Sequence, residues 1–228
     1  MNFFKNMDVR PLLLVPALAL LAWPLVGSGS TWLTLTVAGL AMGMIIFIMA
    51  SGLTLVFGLM DVLNFGHGLF IALGAFVATS VLGSMADWTA SGQWWRNLVA
   101  VLPAMGVAMA VAAAVGLAFE RFIVRPVYGQ HLKQILITMG GMIIGEELIK
   151  VIWGPLQIAL PLPEAMRGSV LWGEAAIEKY RLLAVVVGLA IFATQMWVLG
   201  RTKIGLLIRA GVQDREMVES LGYRIRRL

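Results

Sequence analysis

The chain has 228 residues, of which 60% are hydrophobic and 13% charged, with a formal net charge of +5. A soluble domain carries about 25% charged residues, so too few polar side chains remain here to coat a water-soluble globule. Cysteine is absent, which excludes disulfides, a thiolate metal site and a thiol nucleophile. The two histidines, His67 and His131, lie too far apart in sequence for metal-ligand spacing.

Taken in chain order, apolar segments fall at 11–27, 32–59, 66–83, 98–119, 135–153 and 182–199. A helix of about 20 such residues crosses the hydrocarbon core. The fold class expected is therefore all-α: a polytopic transmembrane helical bundle of about six spans, forming a single domain over 1–228. The first segment follows Lys5 and Arg10 and precedes Gly27-Ser28-Gly29-Ser30, an order similar to that of a secretory leader. Its apolar part is long for such a leader and no A-x-A-like site follows, so it reads as a retained first helix. Residues 32–59 would make a helix of about 42 Å, longer than a core of about 30 Å. Such a helix must tilt, protrude or break. Gly52 and Gly58, followed by Asp61, Asn64, Gly66 and Gly68, favour a break or re-entrant stretch near residues 58–68. Irregular backbone at membrane depth survives only inside protein or beside a water-filled cavity. Residues 84–97 and 154–181 read as external loops.

Charge sets an orientation. With the N-terminus inside, the inner segments hold Lys5, Arg10, Arg121, Arg125, Lys133, Arg201, Lys203, Arg209, Arg215, Arg224, Arg226 and Arg227. The outer ones hold Arg96, Arg167, Lys179 and Arg181. Basic loops stay on the cytoplasmic side, so both termini are expected there.

Three groups of residues stand out. The small-residue pairs Gly39/Gly43 and Gly141/Gly145, with the Ala- and Gly-rich stretch 104–118, suit close helix packing in lipid. Glu146, Glu147 and Lys150 are charged within the fifth segment, with Glu146 and Lys150 spaced for an i,i+4 pair. They read either as a gate or entry site, or as a structural ion pair near the interface. Asn64 and His67, in Asn-Phe-Gly-His-Gly, either line a solute path at a helix junction or sit in a cytoplasmic turn where Asn and Gly supply permissive backbone. Beyond residue 200 the chain is basic with interspersed acids. Asp214 is placed to cap a short helix that Gly222 ends, with Met217 and Leu221 on one face. This 200–228 segment reads as a cytoplasmic coupling segment that docks another subunit, or as a basic stub on anionic lipid. No lysine follows a glycine, so no phosphate-binding G-x-x-x-x-G-K loop is present. Transport driven by ATP would need a separate motor subunit.

Three ordered blocks resemble one family. The run Ser51-Gly-Leu-Thr-Leu-Val-Phe-Gly58, continuing through Asp61-Val-Leu-Asn-Phe-Gly-His-Gly68 to Leu73-Gly-Ala-Phe-Val77, is similar to the signature of LivH-type permeases, the membrane subunits of branched-chain amino acid ABC importers. Arg125-Pro-Val-Tyr-Gly129, Ile135-Leu-Ile-Thr-Met-Gly140 and Ile152-Trp-Gly-Pro155 resemble its middle region. Arg201-Thr-Lys-Ile-Gly205, Ile208-Arg-Ala210 and Gln213-Asp-Arg-Glu216 through Leu221-Gly222 resemble its cytoplasmic coupling loop. The resemblance covers residues 35–228. It implies a pore-forming subunit of the bacterial inner membrane, with no catalytic site and no cofactor of its own. ATP would be bound by partner ATPases. A second permease, related or identical, and an extracytoplasmic solute-binding protein would complete the complex. Asn64, His67, Gly66, Gly68 and Gly58 carry over as pathway or structural-core residues. Gln213, Asp214, Arg215, Glu216 and Gly222 carry over as the ATPase contact, with His131 and Lys133 beside it. Glu216-Met-Val stands where the family commonly has a Glu-Ala-Ala type sequence. Members of the family typically continue into further membrane helices, so a C-terminal truncation is an expectation here. The alternatives are an importer of urea or short amides and a truncated, non-transporting paralogue.

Overall fold

A computed structural model describes residues 10–60, 62–213 and 215–220. Helices occur at all six expected places: α1 (Arg10–Val26), α2 (Gly29–Met60), α3 (His67–Ser84), α5 (Trp94–Phe119), α6 (His131–Trp153) and α7 (Lys179–Arg201). A one-turn helix, α4 (Ala86–Thr89), follows α3, and α8 (Lys203–Gln213) and α9 (Arg215–Ser220) follow α7. Among the described residues four stretches are long and apolar enough to cross a membrane: Gly29–Gly58, His67–Ser84, Trp94–Val127 and Lys179–Arg201. The apolar part of α1, Leu13–Val26, is shorter. Helix α6 has the length, about 35 Å, but carries Glu146, Glu147 and Lys150 in its C-terminal half. The molecule is a polytopic helical membrane protein. Its outward side chains are those of a lipid-solvated surface: Leu25 is 87% exposed and Val151 80%.

Helix α2 runs unbroken through Gly52 and Gly58 to Met60, and the interruption that follows, before α3 begins at His67, falls within the expected stretch 58–68. Glycine inside a helix costs only about 1 kcal/mol, too little to break a helix whose backbone groups have no water to turn to. One difference from the sequence reading is local: the segment 154–181, read from the sequence as an external loop, is not all irregular. It contains a β-hairpin, β1 (Ser169–Trp172) and β2 (Ala175–Glu178), paired antiparallel with Ser169 opposite Glu178 and Trp172 opposite Ala175. Gly173 opens its two-residue turn at φ +63°, where a side chain would be strained.

The chain forms two compact units, residues 1–50 with 168–228, and residues 51–167, and α2 contributes to both. In the first unit Ser28 caps α2, its carbonyl accepting from Trp32 N–H at 3.0 Å. Trp32 donates its indole N–H to the Ala19 carbonyl at 2.7 Å, which ties α1 to α2. Gly188 of α7 leaves room for Met44 of α2, and Phe47 meets Phe192 edge to face at 5.4 Å. Among the described residues no atom lies within 4 Å of where a Cβ would stand on Gly39 or Gly43, so no close helix contact is formed at that small-residue pair there.

In the second unit α5 packs along α3. Ala100 and Ala104 are fully buried against Leu82, with Val81, Met85 and Val101 around them. The alanine face of α5 lets the two backbones approach closely. Below it α5 passes into one π-turn (Glu120–Val124) and one 3-10 turn (Arg125–Val127) before α6. Val62, Phe119 and Val124 form a second buried cluster with Phe70 and Ile123.

Candidate functional site

The break between α2 and α3 is an ordered turn. The Asn64 side-chain Oδ1 accepts the Gly66 backbone N–H at 3.0 Å, the Asx-turn that gives asparagine its preference at such positions. The Asn64 carbonyl accepts from His67 N–H at 3.3 Å and the Gly66 carbonyl from Leu69 N–H at 3.0 Å, so α3 begins at His67. Gly66 is required for space rather than for backbone angle, its φ being −73°. A Cβ there would stand 3.1 Å from Asn64 Oδ1 and 3.4 Å from the Phe119 ring.

A buried hydroxyl pins this turn to α6. Thr138, fully buried, accepts the Phe65 N–H at 3.3 Å. Its single proton goes to the Gln134 carbonyl at 2.7 Å, which is closer than the Leu63 carbonyl at 3.4 Å. Gln134, also fully buried, donates to the Val127 carbonyl at 3.2 Å. Gly141 and Gly145, one and two turns further along α6, leave the room that Phe119 and Leu69 occupy. This small-residue pair thus receives side chains of α5 and α3 rather than another helix backbone.

Beside the turn lies a cleft of about 430 Å³, lined by Leu53, Phe57, Val62, Leu63, Phe65 and the polar groups Thr54, Asn64 and His67, with Gly68 on its wall. The imidazole of His67 rests on Gly52 of α2, whose Cβ position is 3.4 Å from Cε1. The volume suits a small solute, and an apolar wall with a few polar atoms is the usual composition of such sites. Of the five residues expected here, Asn64, His67 and Gly68 share the cleft. Gly66 lies behind it in the packed core, and Gly58 is half-buried within α2, away from the lining.

The charged residues of α6 stand apart from the cleft lining. Lys150 Nζ pairs with Glu147 Oε1 at 2.6 Å. The pair is thus i,i+3 and not the expected Glu146–Lys150 pair, since both spacings put side chains on adjoining parts of a helix surface. All three residues are exposed.

At the C-terminal end, Thr202 ends α7 and starts α8. Its hydroxyl donates to the Val198 carbonyl at 2.6 Å and accepts the Gly205 N–H at 3.1 Å. The second bond is a side-chain N-cap of α8. Gly205 is buried against Val198 and Leu199, where any Cβ would collide with backbone. The elbow is therefore specific to Thr and Gly at these positions. Gln213 is the exposed last residue of α8, and Arg215 and Glu216 open α9. Asp214 and Gly222, like Asp61 and Leu221, lie outside the described residues. Sequence reasoning missed Thr138, Gln134, Thr202 and Gly205 as positioning residues. Thr138, Thr202 and Gly205 do sit inside the blocks that carry the family resemblance.

Helices long and apolar enough for lipid, with a non-helical turn beside a cleft where Thr54, Asn64 and His67 stand among apolar side chains, define an integral membrane protein of the polytopic helical class. The chain belongs to the family of permease components of branched-chain amino acid transport systems, whose profile matches residues 35–228. It is similar to the high-affinity branched-chain amino acid transport system permease protein BraD of Pseudomonas aeruginosa, with 26% identity over 196 residues, covering 82% of this chain and 61% of BraD. It is equally similar to the permease protein LivH of Salmonella typhimurium and of Escherichia coli, at 26% over 199 residues, covering 83% of this chain and 62% of LivH. The chain thus spans about three-fifths of the length of the curated relatives it matches. No solved structure matches it.

Proposed function

We propose that this chain is the membrane subunit of an ABC importer for branched-chain or related amino acids, with ATP hydrolysed by separate cytosolic subunits. The observation that carries the proposal is the family match over residues 35–228. The cleft supports the choice of cargo. Leu53, Phe57, Val62 and Leu63 offer an aliphatic side chain an apolar wall, while Asn64 and His67 offer hydrogen bonds to a polar end. Urea or a short amide would leave that wall unused, which weighs against those cargoes.

The mechanism that fits is alternating access. The Asn64 turn lies in the non-helical stretch between α2 and α3, and Thr138 holds it at a set place on α6. Closure of the ATPases acts on the 213–222 segment, and the Thr202–Gly205 elbow passes that motion to α7. Both termini are cytoplasmic in this reading, the chain lies in the bacterial inner membrane, and a second permease and a solute-binding protein complete the assembly. The test is reconstitution with the cognate ATPases and binding protein in proteoliposomes. ATP-dependent uptake of radiolabelled leucine, isoleucine or valine is the expected result. Uptake of urea or a short amide with none of these three would refute the cargo, and a system indifferent to this subunit would refute the role.

A further inference from the structure

The β1–β2 hairpin carries an apolar tip that nothing in the transport reading uses. Leu171 and Trp172 are each 74% exposed and Val170 43%. On β2, by contrast, Ala175 and Ile177 are buried. Neighbouring residues on a strand point to opposite faces, so Leu171 and Trp172 make the tip apolar on both sides, and no rotation of the hairpin hides it. A lone two-stranded hairpin is marginal in water. An apolar edge strand with no lysine or proline also invites unwanted pairing, and β1, Ser-Val-Leu-Trp, has neither.

Its position in the chain supplies the missing solvent. Strand β2 ends at Glu178 and α7 begins at Lys179 with no residue between. Lys179 N–H donates to the Gly168 carbonyl at 3.1 Å, which ties the root of the hairpin to the first turn of a membrane span. That turn has the residues of a bilayer interface: exposed Lys179 and Tyr180, and Arg181, which lies over the Tyr180 ring at 5.7 Å and pairs with Glu178 at 2.6 Å. Strands of four residues reach only about 13 Å from there, so a hairpin inclined along the membrane surface keeps its tip in the headgroup region, which is about 5–8 Å deep on each side.

We propose that the hairpin is an interfacial anchor, with Leu171 and Trp172 seated in the headgroup–acyl boundary of the leaflet in which α7 begins. Its partner is the phospholipid surface. The inference rests on α7 spanning the bilayer and not on the transport role.

The absence of native cysteine makes the test direct. Leu171→Cys and Trp172→Cys, each carrying an environment-sensitive fluorophore, are placed in phosphatidylcholine/phosphatidylglycerol nanodiscs as the full chain. Val186→Cys in the middle of α7 serves as the span reference. The expected result is blue-shifted emission at both hairpin positions, quenching by lipid with a shallow spin label, and loss of quenching by aqueous iodide. The Val186 probe should respond to the deep spin label. Emission of an aqueous probe, quenched by iodide and indifferent to lipid, would overturn the proposal, as would a probe shielded from both and thus seated on protein. Failure of the Val186 probe alone would instead remove the span on which the proposal stands. Trp172→Phe gives a second reading without a label, and should remove a component of the tryptophan emission that brominated lipid quenches.

Discussion

Replacing Thr138 by valine isolates the contact that holds the cleft in place. Valine keeps the volume and the β-branch but loses the oxygen that accepts the Phe65 N–H at 3.3 Å. Stranding one partner of such a bond costs about 1–3 kcal/mol. A length of 3.3 Å lies just beyond the usual range of about 2.7–3.2 Å, so the lower part applies, about 1–2 kcal/mol, or a factor of about 5–30 in a two-state ratio. The lost donation to the Gln134 carbonyl adds little, because that group keeps its helical partner. The turn over residues 62–66 should therefore open about 5–30 times more often, while α3 and α5 remain packed through Leu82 and Ala100. Hydrogen exchange by mass spectrometry in nanodiscs reads this directly, as faster exchange in a peptide covering 62–68 and unchanged exchange across 94–119. Thr138→Ser retains the oxygen and should stay near wild type. Equal exchange in wild type and Thr138→Val, or equally fast exchange in the serine variant, would refute the pinning role.

Four further outcomes are expected. Gly145→Ala pushes a methyl group into the space of Leu69 and should destabilise the chain by about 1–3 kcal/mol in denaturant unfolding, with part recovered by Leu69→Ala on the same background. Gly68 lines the cleft and has no atom within 4 Å of its Cβ position, so Gly68→Phe should fill the cleft and abolish leucine uptake at normal expression and melting temperature; undiminished uptake would separate the cleft from the pathway. Gly205→Ala cannot keep the α7–α8 elbow and should depress ATP-driven uptake without affecting membrane insertion, as measured by fractionation. Charge reversal at Asp214, Arg215 and Glu216 together should uncouple uptake from ATP hydrolysis in proteoliposomes, and normal coupled uptake by that variant would count against the ATPase contact.

The charged residues of α6 show where one-dimensional reasoning is blind. Spacing allows Lys150 to meet either Glu146 or Glu147, and only rotamers chosen in the folded chain select Glu147. Similarly, Gly52 and Gly58 read as helix breakers. In the chain they sit inside a continuous α2, and Gly52 serves as the platform on which His67 rests. The hairpin escaped notice because its strands are four residues long and lack a clean alternation, so the proline-rich composition of the outer loop dominated. The glycine pair of α6 was legible as a packing surface, but not as a receptacle for Phe119 and Leu69.

Lipid as the solvent, the places of the six main helices and the non-helical step near Asn64 were all determined by the amino-acid order alone. Apolar run length, charge content and Asn-Gly turn chemistry are local properties that need no knowledge of neighbours. Tertiary structure alone decided which polar atoms meet. Thr138 and Phe65 are 73 positions apart, and nothing in either segment announces the other. Only when α6 lies beside the α2–α3 turn does one hydroxyl become its fixed point, and only then do Asn64, His67 and Gly68 separate from Gly66, the first three facing a cleft and the last filling the core behind it.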